Sequence, residues 1–99
     1  MKDSKTVELI QWPNFELVEN FSFDAITSAG TITLQFKWLN NRWNLWVTLP
    51  DGTVREAGVY PNVLSWSGFN DYGILIAANV TEIDFNSLLL TEVYFITWM

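Results

Sequence analysis

The stretch ITLQFKWLNNRWNLWVTL, residues 32–49, decides the fold of this chain. Apolar and polar residues alternate on both sides of Asn40 and Asn41, as they do in strands with one buried face. Asparagine tolerates the positive φ that both central residues of a type I′ turn require. With these two residues at the turn, all cross-strand pairs on one face are apolar: Ile32–Leu49, Leu34–Val47, Phe36–Leu45 and Trp38–Trp43. A slip of one residue would mix the faces, so the pattern predicts a β-hairpin in this register.

Three of the six tryptophans lie in this hairpin. Trp38 and Trp43 share its apolar face, and we expect them to form a cross-strand pair in the core. Trp46 lies on the polar face, opposite Gln35, so its role differs. Two interpretations of Trp46 stay open at this point: the ring covers a neighbouring strand, or it anchors an interface with another protein.

The rest of the chain also consists of strand-length segments separated by turn residues. Strands are predicted near residues 6–11, 15–25, 53–60, 72–80 and 92–99, and one helical turn is considered for residues 84–90. Frequent turns between short strands are typical of all-β folds. We therefore predict a single domain over residues 1–99. Its expected fold is a small antiparallel β-sandwich or partly closed barrel of about seven strands.

The final segment, EVYFITWM, is apolar on both faces. Tyr94, Ile96 and Trp98 lie on one face, and Val93 and Phe95 lie on the other. A half-exposed strand normally alternates with polar residues. The last strand is therefore expected either to be central in a sheet or to be covered by another subunit.

The charge balance argues against two classes of partner. The formal net charge is −6, with five Lys and Arg against eleven Asp and Glu. A protein that follows a nucleic-acid backbone needs a basic stripe, and an acidic protein is repelled by anionic membranes. No apolar run approaches the roughly 18 residues of a membrane helix. We expect neither nucleic acid nor membrane as a partner.

Catalytic chemistry has few candidates in this sequence. The chain has no histidine and no cysteine, which removes most hydrolase arrangements and cysteine-based metal sites. Glu82 and Asp84 are a possible carboxylate pair, but two acids in a turn-rich segment usually face solvent. NDYG (70–73) and DFNS (84–87) could offer oxygens to calcium, yet Asx-type turns are the simpler interpretation. We expect no catalytic residue, metal, cofactor or small-molecule substrate.

The apolar content exceeds what one thin core needs, since 49% of the residues are hydrophobic. The hairpin residues, completed by Phe21, Phe23, Ile74 and Ile76, can fill the core. A group of aromatic residues then remains as candidate partner contacts: Trp46, Trp66, Phe69, Tyr94 and Trp98. Exposed together, they would form a larger apolar patch than a monomer usually shows.

The pattern LQFKWLNNRWNLWV, then LPDGT, then AGVYPNVLSW resembles the small baseplate plug proteins of contractile-tailed bacteriophages, first recognised in a cyanophage. The residues that match the family pattern lie between about Phe21 and Trp66: Trp38 with Asn40, Trp43, Asp51-Gly52, Gly58 and Leu64, preceded by NFSFDA. Leu39, between Trp38 and Asn40, departs from that pattern, and the last third of the chain matches only as apolar strands.

This resemblance implies a non-enzymatic structural subunit of the tail baseplate. Such a subunit is expected to contact hub, tube and wedge proteins, to occur in several copies per virion, and to be present in the host cytoplasm during assembly. The alternative is a carbohydrate-binding module that uses Trp46 and Trp66 as a sugar platform. The apolar second face of the last strand favours assembly, because sugar binding does not explain it.

Overall fold

A computed structural model of the chain describes residues 5–66 and 71–98. The described residues form eight strands and one short 3₁₀ helix. In chain order these are β1 (Lys5–Ile10), β2 (Asn20–Thr27), β3 (Gly30–Leu39), β4 (Arg42–Thr48), β5 (Val54–Ala57), β6 (Leu64–Ser65), β7 (Tyr72–Ala77), the 3₁₀ helix (Leu88–Leu90) and β8 (Glu92–Trp98).

The strands form two four-stranded antiparallel sheets that pack face to face. The order in one sheet is β1-β8-β7-β6, and we call it the terminal sheet because it holds the first and last strands of the described chain. The order in the other is β2-β3-β4-β5, and we call it the hairpin sheet. One core cluster contains residues of both inner faces. The prediction of a small β-sandwich is confirmed. The structure adds one strand, the two-residue β6, in a segment that is rich in turn residues.

The predicted hairpin is present as β3 and β4. Leu34 pairs with Val47, and Trp38 pairs with Trp43. The turn residues Asn40 and Asn41 have φ values of 55° and 61°. These are the left-handed values that a type I′ turn requires, and they match the right-handed twist of the two strands. Turn chemistry and hydrophobic pattern therefore agree, and the register follows from both.

The core is built mainly from the alternating apolar residues of both sheets. Trp43 is 3% exposed, whereas Trp38 is only partly buried because Trp38–Trp43 is the last pair on the inner face before the open turn. Their rings meet edge to face, with centroids 5.5 Å apart. The largest fully buried side chains are Phe36, Phe95, Ile32, Leu34, Leu45, Ile74, Ile76, Leu88, Val47 and Val93.

Two aromatic residues outside the predicted core complete it. Trp12 lies in the connection from β1 to β2, and its ring is 5.2 Å from that of Phe36. Its indole N–H donates to the carbonyl of Thr91 at 2.9 Å, which joins the two ends of the chain. Phe85 stacks on Trp43 at 5.1 Å with an interplanar angle of 18°. Contacts between residues so far apart in sequence leave no local signal.

The last strand is central in the terminal sheet, because β8 pairs with β1 on one side and β7 on the other. Val93 and Phe95 point into the core and are fully buried. Tyr94, Ile96 and Trp98 alternate with them and lie on the outer face. The first of the two explanations for this strand is therefore correct, but the apolar character of its outer side remains to be explained.

Residues 84–90 contain the predicted helical turn. The backbone N–H of Ser87 donates to Oδ1 of Asp84 at 2.9 Å, and the N–H of Asp84 donates to the Ser87 hydroxyl at 3.0 Å. This reciprocal pair closes a turn directly before the 3₁₀ helix Leu88–Leu90, whose N-cap residue Ser87 makes no side-chain cap bond. The carboxylate of Asp84 therefore has a structural role in an Asx-type turn, as the sequence predicts for DFNS. Asn70 of NDYG lies outside the described residues.

Replacing Trp43 by alanine should lower the free energy of unfolding by about 3–5 kcal/mol, because the buried ring loses its contacts with Phe36 and Phe85. Urea unfolding of the purified variant measures this loss. Trp46→Ala is the matched control, since Trp46 lies in the same strand on the opposite face, and we expect it to cost about 1 kcal/mol. Equal losses for the two variants would show that Trp43 is not on the buried face of the hairpin.

Candidate partner-binding surface

The outer face of the terminal sheet is apolar across all four strands. Leu9 pairs with Tyr94, Tyr94 with Leu75, and Leu75 with Leu64, so these side chains form one continuous row. Leu9 is 45% exposed although it is a large hydrophobic residue. In most sandwiches the outer side of a sheet carries polar residues, because it faces water.

The neighbouring row is also apolar. Val7 pairs with Ile96, and Ile96 pairs with Gly73. A side chain at position 73 would come within 2.9 Å of the Cη2 and Cζ3 atoms of Trp98, so glycine allows the Trp98 ring to lie flat on the sheet. We call this surface the apolar face; its residues are Val7, Leu9, Leu64, Gly73, Leu75, Tyr94, Ile96 and Trp98.

Strand β1 presents its apolar side to the outside. Val7 is 50% exposed, while Glu8, the next residue, points toward the space between the sheets. The Glu8 carboxylate accepts the backbone N–H of Ser28 at 3.0 Å and its hydroxyl at 2.7 Å, which ties β1 to the β2–β3 turn. An inward-pointing charge on an edge strand also discourages uncontrolled pairing. The inverted polarity of β1 extends the apolar outer surface to this edge of the sheet.

Charged residues lie at both ends of the apolar face. Lys5 pairs with Trp98 at one end, and at the same end the Asp71 carbonyl accepts the backbone N–H of Trp98 at 2.8 Å. Glu92 pairs with Ala77 at the opposite end, and all three charged residues are exposed. Desolvation raises the pKa of Tyr94, and a hydrogen bond to Glu92 with the charge of that carboxylate adds to the shift. Glu92 therefore already contacts the centre of the face through the Tyr94 hydroxyl.

The outer face of the hairpin sheet is mixed: polar residues surround Trp46, while Ile26, Leu39 and Val54 are exposed as separate apolar residues along its borders. Trp46 pairs with Gln35 on one side and Glu56 on the other. The ammonium of Lys37 is 5.5 Å from the centre of the Trp46 ring, and the ring is partly buried. Trp46 is thus separated from Tyr94 and Trp98 by the whole thickness of the sandwich.

Trp66 belongs to the edge of the sandwich. It has a positive φ of 70°, its indole N–H donates to the Glu56 carbonyl at 2.8 Å, and the Arg55 guanidinium is 5.9 Å from its ring. It also packs against the core. Phe69, the fifth aromatic candidate, lies outside the described residues. Among the four candidates that the structure describes, Tyr94 and Trp98 share one face, and Trp46 and Trp66 lie elsewhere.

A cleft of about 470 Å³ opens beside the β3–β4 turn. Arg42, which lines it, donates to the Tyr60 hydroxyl at 3.3 Å. Glu82 is the one carboxylate among its described lining residues, and Asp84 is engaged with Ser87 instead of pairing with it. The described residues contain no group of three or more Asp and Glu that could hold a metal ion. Nor do they form a helix suited to crossing a membrane.

Comparison with known proteins gave no match: no protein-family model, no curated protein and no solved structure is similar to this chain. The surface itself therefore has to carry the functional argument. Its main feature is the continuous row of apolar side chains across the terminal sheet, whereas the exposed apolar residues of the hairpin sheet are separated by polar ones.

We expect that calcium or excess EDTA leaves the melting temperature of the protein unchanged. Oδ1 of Asp84 already accepts the Ser87 N–H at 2.9 Å, and the described residues contain no group of three or more carboxylates that could hold a metal ion. Asp84→Ala should cost about 1 kcal/mol through loss of this hydrogen bond, with or without calcium. Thermal unfolding of both proteins measures this. A stabilisation by calcium that disappears in the Asp84→Ala variant would reveal a metal site here.

Val7→Asp and Ile26→Asp should both fold, with losses of about 1 kcal/mol or less, because both side chains are at least half exposed on edge strands. The two variants add the same charge to the outer faces of opposite sheets. Circular dichroism and thermal unfolding measure the outcome. If Val7→Asp unfolds while Ile26→Asp does not, then the apolar face is part of the folding core and is not available to a partner.

Proposed function

We propose that this protein is a structural, non-enzymatic subunit of a bacteriophage contractile-tail baseplate, where it packs as a plug-type component among hub, tube and wedge proteins. It resides in the virion in several copies and passes through the host cytoplasm during assembly. Its work is binding to other proteins, with no turnover of a substrate.

The single observation that carries the assembly role is the apolar face. Val7 and Leu9 are about half exposed, and they adjoin the partly buried rings of Tyr94 and Trp98. Contiguous apolar surfaces of this kind are contact sites, because leaving them in water is unfavourable by about 25 cal/mol per Å². A subunit of a large particle covers such a surface with its neighbours.

The baseplate assignment is supported by the residues that resemble the plug family. These residues stabilise turns and close packing in the hairpin sheet. Asp51 accepts the hydroxyl of Thr53 at 2.7 Å, a bond that lowers the pKa of Asp51, and Gly52 has a φ of 91° that suits glycine. At position 58, a side chain would collide with the Tyr60 ring at 2.8 Å. The shared pattern is thus one of fold-forming residues, as expected for a structural protein.

The sugar-binding alternative requires Trp46 and Trp66 to act together. Trp46 lies on the outer side of β4, whereas Trp66 bonds to the backbone of β5 at the sandwich edge. Each ring also has a different cation over it, Lys37 in one case and Arg55 in the other. No observation favours sugar binding over assembly, and the co-expression experiment described next distinguishes the two.

Co-expression with the tail and baseplate proteins encoded beside it tests the proposal. We expect the tagged wild-type chain and the Ile26→Asp control to co-purify with hub, tube or wedge proteins, as identified by native mass spectrometry. Val7→Asp should reduce the yield of complex at least tenfold, since it places a charge within a buried contact. Trp46→Ala should keep the fold, and should weaken the complex by about 2 kcal/mol or more if that ring is an anchor.

A wild-type chain that forms no complex with any tail protein, but binds a glycan array through Trp46, would contradict the proposal. Equal yields of complex for Val7→Asp and Ile26→Asp would contradict the role of the apolar face in binding. The binding of the chain to tail proteins would still be measured in that case.

A further inference from the structure

We infer that strand β2 is a docking site for an extended segment of a partner protein, which adds to the hairpin sheet as a further antiparallel strand. The inference concerns a surface other than the apolar face. It goes beyond the proposed function and does not rest on it. The backbone groups and the charge on the unpaired side of β2 identify the kind of partner.

The described strands leave four edges, at β1, β6, β2 and β5, and three of them are protected against pairing. Strand β1 turns the Glu8 carboxylate inward, where it accepts the Ser28 hydroxyl. In β5, the Glu56 carbonyl accepts the indole N–H of Trp66 at 2.8 Å. Strand β6 consists of two residues. Inward charges, covering groups and very short strands are common means of blocking an edge.

Strand β2 lacks these forms of protection. It runs from Asn20 to Thr27 and pairs with β3 without a bulge. It contains no proline, lysine or arginine. Its one charged residue is Asp24, whose carboxylate accepts the Thr33 hydroxyl at 2.7 Å and is therefore held toward β3, away from the unpaired side.

The hydrogen bonds between β2 and β3 show which backbone groups point to the unpaired side. The N–H of Trp38 donates to the Glu19 carbonyl at 2.7 Å, directly before the pair of Asn20 and Lys37. Bonded and non-bonded pairs alternate in an antiparallel ladder, so the odd-numbered residues of β2 bond to β3. The outward N–H and C=O groups belong to the even-numbered residues: Asn20, Ser22, Asp24 and Ile26.

We call these outward N–H and C=O groups the open edge. All four residues are exposed, and within residues 5–66 and 71–98 nothing bonds to their outward groups. A donor and an acceptor recur along the open edge about every 7 Å, which is the spacing of another extended chain. Only such a chain satisfies the whole row, as in the addition of a peptide strand to a sheet. The occupant is therefore an extended peptide segment.

The side chains of β2 indicate the pattern of that segment. Phe21, Phe23 and Ala25 face the interior but are only partly buried, so apolar residues of an added strand gain contacts beside them. On the outer face, Asp24 favours a lysine or arginine opposite it. A second copy of this chain would bring another Asp24 and a further net charge of −6, so charge complementarity favours a basic partner segment.

A synthetic peptide of alternating valine and lysine, as long as β2 and blocked at both ends, tests the inference on the isolated chain. We expect it to bind the wild-type chain about tenfold or more tightly than a valine–glutamate peptide of the same length, as measured by isothermal titration calorimetry. Hydrogen exchange followed by NMR should become slower at the amides of Ser22 and Asp24, because both N–H groups then donate to the peptide.

Methylation of the peptide's backbone nitrogens separates strand pairing from attraction between charges. In antiparallel pairing, the lysines lie opposite the even-numbered residues of β2, so their N–H groups are the donors to the open edge. Methylation of the lysine nitrogens should weaken binding about tenfold or more, since several hydrogen bonds are lost. Methylation of the valine nitrogens is the matched control, because it leaves these donors and the charge unchanged, and it should alter binding little.

Variants of β2 test the same contact from the side of the protein. Ser22→Pro removes one outward N–H at an edge position that accepts proline, and it should weaken binding of the valine–lysine peptide about fivefold or more. Ser22→Val keeps that N–H and should bind as the wild type does. Asp24→Lys should reverse the preference, so that the valine–glutamate peptide binds more tightly. Ile26→Asp keeps every backbone group of the open edge and should bind the valine–lysine peptide at least as tightly as the wild type.

A wild-type chain that binds neither peptide, or that binds the lysine-methylated peptide as tightly as the unmethylated one, overturns the inference. Loss of binding with the valine-methylated peptide instead overturns the antiparallel direction. If sedimentation velocity shows a wild-type dimer that Ser22→Pro abolishes, the open edge belongs to a second copy and the choice of partner is overturned.

These outcomes are separable from those of the baseplate test. A chain that binds the peptide at β2 but forms no complex with tail proteins would support the inference and contradict the proposed function. A chain that joins tail proteins but leaves the valine–lysine peptide unbound would do the reverse.

Discussion

Asn40 and Asn41 hold positive φ values of 55° and 61° in the turn between β3 and β4, and the register of the hairpin sheet depends on this turn. A type I′ turn of two residues fixes which residues stand opposite each other, and the period of two then fixes which side each side chain takes. As a result, Leu34, Phe36 and Leu45 lie on the inner side of the sheet and are fully buried. Strands β2 and β5 extend the same sheet on either side.

The hairpin alone would leave its aromatic end open, and distant parts of the chain close it. Phe85 stacks on Trp43 from the connection before β8, and Trp12 packs against Phe36 from the connection after β1. The bond from the Trp12 indole to the Thr91 carbonyl links positions 79 residues apart. The core is therefore a joint product of both sheets, as expected for a small domain whose own surface-to-volume ratio leaves little interior.

The two outer faces of the sandwich expose different residues. The hairpin sheet exposes polar residues and separate apolar ones, with Trp46 under Lys37, whereas the terminal sheet has continuous apolar rows that include Val7, Leu9 and the rings of Tyr94 and Trp98. Assembly into a larger particle explains the continuous rows.

The sequence by itself determined the fold class, the hairpin register and the buried side of β3 and β4, because turn chemistry and periodicity act over neighbouring residues. It also identified Tyr94 and Trp98 as surplus apolar residues. Only the tertiary structure decided that Trp46 lies on the opposite side of the molecule and that β1 turns Val7 and Leu9 outward. An alternating strand has two possible faces, and its own residues do not state which one packs. For β1 the choice is made by Ile10, buried at one end, and by Glu8, held by Ser28 of the other sheet.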